Sequence, residues 1–133
     1  MIRHVRKPNP RMEYRLRRTE EINESPTLSA KFPNLKLLHI TVDYFDSSGR
    51  IRNGGMKYKL NLAHGKSLFC FNCVNSDCTG GDYDLSERLA QAIETCRKVV
   101  QGELRCQGMR HNKELKESRP CQSILRYKLT LGY

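Results

Sequence analysis

The chain has 133 residues, 38% of them hydrophobic and none Trp, with a net charge of +10 at pH 7 and a mean hydropathy of -0.68. At this length only about two thirds of the unfolded surface is buried, so a modest core gains from a staple, while the apolar content argues against a disordered chain. No stretch approaches the roughly 18 apolar residues that span a bilayer, and "MIRHVRKPNPRMEYRLRR" lacks the apolar block of a secretion signal, which together predict a cytoplasmic protein without a membrane partner.

Residues 1–18 hold seven basic side chains (Arg3, Arg6, Lys7, Arg11, Arg15, Arg17, Arg18) and a single acid, Glu13. With Pro8, Pro10 and few apolar anchors, residues 1–24 read as a flexible basic arm and residues 25–133 as a single domain. Ser25 and Pro26 read as a helix cap and first helical residue, with Leu28 and Phe32 four apart, so a short helix is expected before Pro33.

The period then changes to two. Leu38, Ile40, Val42 and Tyr44 share one face of a half-buried strand; "DSSGRIRNGG" supplies turn residues; Met56, Tyr58, Leu60 and Leu62 form the apolar face of a second strand. These two strands are expected to pair as a hairpin. A third strand is expected across "KSLFCFNC". "DLSERLAQAIETCRKVV" has helical spacing, with Leu85, Leu89, Ala92, Ile93 and Cys96 on one face and Asp84 and Glu87 in a capping box, so Cys96 is expected in the core. Two further strands, "VVQGELRCQG" and "QSILRYKLTLGY", flank the polar loop "MRHNKELKESRP". The order predicts an α+β fold: an antiparallel sheet of about five strands under one covering helix, preceded by the basic arm.

In a reducing compartment, six cysteines favour metal ligation or buried thiols over disulfides. Cys73 and Cys78 bracket the turn-forming "VNSD" and are followed by Gly80 and Gly81; a hairpin between the last two strands would bring Cys106 beside Cys121. Two such pairs from separate turns are how tetrahedral Zn2+ is usually held, so Cys73, Cys78, Cys106 and Cys121 are the expected ligands of a structural zinc. Cys70 and His111 compete, although Cys70 and Cys73 face opposite sides of an extended segment. Arg105, Arg110 and Arg119 lie close enough in sequence to offset the negative charge of such a centre.

No nucleophile set, phosphate loop or dinucleotide fingerprint is present, so an enzyme is not expected. His39 reads as a surface residue, and Asp82 and Asp84 as turn and helix-cap residues. The charge favours a polyanion: the arm, together with Lys57, Lys59, Arg105, Arg126 and Lys128 on outward strand positions, would bind nucleic acid, with RNA favoured, and Phe45, Phe69 and Phe71 are candidates for base stacking. The alternatives are a zinc-stabilised interaction module that joins an acidic protein complex, and a thiol-based redox or metal sensor.

Overall fold

The computed structural model describes residues 10–75, 77–110 and 118–133. Helix α1 (Pro10–Glu24) and the one-turn α2 (Leu28–Lys31) precede β1 (Leu37–Phe45) and β2 (Ile51–Lys59). Three short strands follow, β3 (Cys70–Asn72), β4 (Cys78–Thr79) and β5 (Asp82–Asp84), then α3 (Ser86–Glu94), β6 (Val99–Arg105), β7 (Met109–Arg110), β8 (Arg119–Pro120) and β9 (Ile124–Gly132).

The fold is α+β with antiparallel pairing throughout. A four-stranded sheet runs β2-β1-β9-β6, and two small sheets, β3-β5 and β4-β7-β8, stand apart from it. Register explains the core: Leu38, Ile40, Val42 and Tyr44 face Leu131, Leu129, Tyr127 and Leu125 across the β1–β9 ladder, and all eight are buried. Because side chains alternate along a strand, this pairing puts these eight residues on one face, with Leu37 and Phe45 of β1 left to the other. Leu28 of α2 and Leu89 and Ala92 of α3 pack into the same core.

The layout departs from the expected single five-stranded sheet. "KSLFCFNC" contributes only Cys70–Asn72, which pairs with Asp82–Asp84 instead of extending the main sheet. Asp82 and Asp84 are therefore strand residues, although Asp84 Oδ1 still accepts the Ser86 N–H at 2.8 Å at the start of α3. The β1–β2 turn is shorter than the run of turn residues implied. Asp46 Oδ1 accepts from the Ser48 and Arg50 amides at 3.0 and 2.9 Å and closes the chain there, so "IRNGG" joins β2 through a bulge at which Asp43 Oδ1 accepts the Gly55 N–H at 2.6 Å. Thr27, not Ser25, caps α2, accepting from the Ala30 amide at 3.2 Å.

Two further differences concern residues singled out above. Cys96 is exposed instead of buried on the helical face, because α3 ends two residues earlier at Glu94 and the chain turns through φ 53° at Cys96. Residues 10–24, the described part of the expected arm, form a helix. Its half-buried positions, Arg11, Tyr14, Arg15, Arg18 and Ile22, recur at helical spacing, but most are polar, so hydrophobic periodicity does not reveal them.

Candidate metal centre

Four loop ends converge at one end of the main sheet. Cys73 follows β3, Cys78 opens β4, Cys106 follows β6 and Cys121 follows β8. Backbone bonds pin the last two: the Cys106 amide donates to Ser123 O at 2.8 Å, the Gln122 amide to Cys106 O at 3.2 Å and the Cys121 amide to Gly108 O at 2.8 Å. These bonds continue the β6–β9 ladder past Arg105 and Ile124 and hold both cysteines at its end, as the hairpin expectation required. The Cys78–Arg110 pairing of β4 with β7 brings the first loop onto the same frame.

All four sulfurs lie within 4.8 Å of one another, and each cysteine is 1–3% exposed. Cys73 and Cys121 Sγ are 3.6 Å apart, Cys78 and Cys106 Sγ 3.5 Å. That is far beyond a sulfur–sulfur bond of about 2.05 Å, and close to the roughly 3.8 Å edge of four sulfurs placed about 2.3 Å from a tetrahedral ion. The cluster can hold a metal ion.

Glycines make the space. A Cβ at Gly81 would collide with Cys106 Sγ and lie 2.6 Å from Cys78 Sγ, and one at Gly108 would lie 2.5 Å from Cys78 Sγ. Donors surround the sulfurs. Asn75 Nδ2 donates to Cys121 Sγ at 3.2 Å and to Ser123 Oγ at 2.8 Å, Ser123 Oγ is 2.8 Å from Cys121 Sγ, and the Gly108 amide donates to Cys106 Sγ at 3.4 Å. A hydrogen bond from Cys106 holds the Cys73 thiol down to about 4, aided by the Asn75 amide, against the opposing effect of burial. Burial and the charge on Cys73 push Cys78 up to about 12, and the bond to Cys73 together with burial raises Cys106.

Cys70 stands outside the cluster. It is half-buried opposite Asp84, and burial and the Asp84 and Asp82 carboxylates push its thiol up to about 12. Parity would have allowed Cys70 to ligate beside Cys73 only if the strand ended before Cys73; β3 does end at Asn72, yet Cys70 is not among the four clustered sulfurs. His111 lies outside the described residues, as do Arg3, Arg6 and Lys7.

The cations near the centre differ in part from those expected. Arg110 bonds Asp77 through Nε at 3.1 Å and through Nη2 at 3.0 Å. Arg15 of α1 donates to Cys73 O at 3.4 Å. Arg18 Nε and Nη2 reach Asp82 and Asp84, each at 2.8 Å, and Nη1 reaches Glu21 at 2.8 Å. Two arginines of the expected arm are thus engaged within the protein, Arg18 tying α1 to β5 after the Gly80–Gly81 turn and Arg15 tying it to the loop that carries Cys73. Asn75 and Ser123 were missed in the sequence, and Arg15 and Arg18 were assigned there to nucleic-acid binding. Only the Arg18–Glu21 spacing of three, which suits a helix, carried any signal there.

Lys57, Lys59, Arg105, Arg126 and Lys128 are all exposed, at strand positions whose neighbours point inward, on the sheet face away from the core. The aromatic candidates fare differently. Phe69 and Phe71 meet edge to face at 5.1 Å and pack against the core, while Phe45 lies beneath Arg126 with the guanidinium 4.6 Å from its ring. No described helix is long and apolar enough to cross a membrane. Compared with models of known protein families, with curated proteins and with solved structures, the chain matches none.

Proposed function

We propose that the protein holds one Zn2+ through Cys73, Cys78, Cys106 and Cys121 as a structural staple, and that it acts by binding RNA. The observation that carries the metal reading is the closeness of four buried sulfurs that form no disulfide. An all-cysteine set favours a soft or borderline ion, and zinc suits it because four thiolates complete its tetrahedron and leave no position for a substrate. This is a closed centre, which supports a binding protein over an enzyme. The hydrogen bonds from Asn75 and the Gly108 amide would disperse the negative charge of a four-thiolate ion.

The RNA reading rests on the charge of +10 and on the exposed lysines of the outer sheet face, an open surface that suits single strands better than a duplex groove. The first experiment is metal content per chain on protein purified without chelators or a histidine tag, with thiol titration before and after denaturation. One zinc per chain and four thiols that react only after unfolding are expected; six reactive thiols and no metal would end the zinc reading. The second is binding of oligouridylate across a salt series, where a steep fall of affinity with salt is expected. Absence of RNA binding alongside tight association with an acidic protein would convert the reading to an interaction module.

A further inference from the structure

We infer that the outer sheet face carries a phosphate-binding subsite formed by His39, Thr41, Lys57, Lys59, Lys128 and Thr130. The inference rests on the RNA reading and names where the backbone would sit.

Register creates the site. Thr41 pairs with Lys57 on one side and Lys128 on the other, and His39 pairs in the same way with Lys59 and Thr130. Three adjacent strands therefore line up two rows, Lys57-Thr41-Lys128 and Lys59-His39-Thr130, beside a concavity of about 430 Å³ that these six residues line. The charge of the face is divided along the strands. Asp43 and Glu103 gather around Arg126 at one end, where Glu103 Oε2 is 3.4 Å from Arg126 Nε and Asp43 pairs with Arg126 in register. At the other end, Lys57, Lys59 and Lys128 have no ion pair among the described residues, and no carboxylate lines their concavity.

His39 lines the same concavity. Its Nε2 is buried and has no hydrogen-bond partner among the described residues. Such an atom is costly to leave unpaired, and among the groups lining the site the ammoniums can only donate. Three ammoniums, with the Thr41 and Thr130 hydroxyls able to donate beside them, make the site rich in donors, so its complement is an oxyanion. Strands lie about 4.8 Å apart, which puts the Lys57 and Lys128 backbones roughly 10 Å from each other with Thr41 between them. Both flexible side chains can close on one phosphodiester from opposite sides, leaving Lys59 for its neighbour. Phe45 is covered by Arg126, and Tyr58, which also lines the concavity, packs on Phe71 and the core, so among the described residues no aromatic ring is free to stack at the site, and recognition would follow the backbone and be indifferent to base.

The test compares the full chain with Lys57→Glu/Lys128→Glu and with His39→Ala, after zinc content and melting show that each is folded. Binding of oligouridylate and oligoadenylate is measured across a salt series, with poly-L-glutamate as the carboxylate control. The wild type should bind both RNAs alike and more tightly than the polypeptide. The double variant should lose at least about tenfold in RNA affinity with a shallower salt slope, and His39→Ala a smaller amount. RNA affinity unchanged in the double variant, but lost in the full chain carrying Arg3→Ala/Arg6→Ala/Lys7→Ala, would overturn the subsite and leave the RNA reading standing. Wild-type preference for poly-L-glutamate would overturn the phosphate assignment, and failure of the wild type to bind either RNA would remove the RNA reading itself.

Discussion

Cys96 occupies a position where helices usually place glycine. The Arg97 amide donates to Ala92 O at 2.9 Å and the Cys96 amide to Ile93 O at 3.0 Å, the paired bonds of a Schellman ending, with Cys96 at φ 53°. A side chain in that left-handed region is strained, and the Cys96 thiol is exposed, so it gains nothing from packing in return. Cys96→Gly should stabilise the protein by about 0.5–1 kcal/mol and raise Tm by a few degrees, with metal content unchanged; a lower Tm would show that Cys96 makes a contact worth more than the strain. The ligand cysteines should behave in the opposite way. Cys121→Ser should leave less than one metal per chain, and retention of a full equivalent would remove Cys121 from the centre. Gly81→Ala keeps every thiol yet puts a methyl group against Cys106 and Cys78 Sγ, so it should also lose metal, a result that ligand counting alone would not foresee.

Helix α1 is held by polar contacts more than by apolar ones: none of its residues is fully buried, and Arg18 makes three charged hydrogen bonds. Arg18→Ala removes all three and leaves Asp82, whose side chain is 8% exposed, without its guanidinium. The expected cost is about 1–3 kcal/mol, with earlier proteolysis in residues 10–24. Its pH dependence has a definite sign. Burial pushes the Asp84 carboxyl up, but the Ser86 hydroxyl and amide and the Arg18 guanidinium outweigh it and hold the group below the usual carboxylate range. A depressed pKa contributes stability that is present above the ordinary value near 4 and is lost as pH falls through the lowered one. The gap in Tm between wild type and Arg18→Ala should therefore be widest near neutral pH and shrink below about pH 4. A gap that is constant with pH would mean that the helix docks without the Asp84 charge.

At the scale of the molecule, the cysteine cluster joins parts that otherwise have little reason to stay together. β3, β4, β7 and β8 are each two or three residues long, too short to be stable by their own hydrogen bonds, and they meet the main sheet at the four sulfurs. Stripping the metal with a strong chelator should lower Tm by roughly 10 °C or more, since about 3 kcal/mol has that effect at this chain length. Mild acid should favour the metal-free form, because protons compete with the ion for each sulfur and Cys78, pushed up to about 12, surrenders its proton reluctantly. Metal content after dialysis at pH 5 should fall below that at pH 7.5; equal content would indicate ligands other than thiolates.

Much of the fold was legible from local pattern. Alternation located β1 and β9, because a half-buried strand must put every second residue inward, and the register of Leu38 against Leu131 through Tyr44 against Leu125 follows from matching those two apolar faces. Turn-forming neighbours marked Cys73, Cys78, Cys106 and Cys121 as loop ends, while Cys70 stayed a competitor until the tertiary structure set it apart from the four sulfurs. Pattern is silent where polar contacts decide. The docked face of α1 is largely arginine and tyrosine, the short strand of Asp82–Asp84 looks like a turn, and Cys96 matches the helical period although its helix stops two residues earlier. By itself the sequence determined which residues face inward and which cysteines sit at turns, because these depend on neighbours a few positions apart. Only the tertiary structure decided that four sulfurs meet, that Arg18 binds carboxylates 64 and 66 positions away, and that three lysines gather in two adjacent rows of the sheet with no ion pair among the described residues, because those outcomes depend on which distant strands pair and in what register.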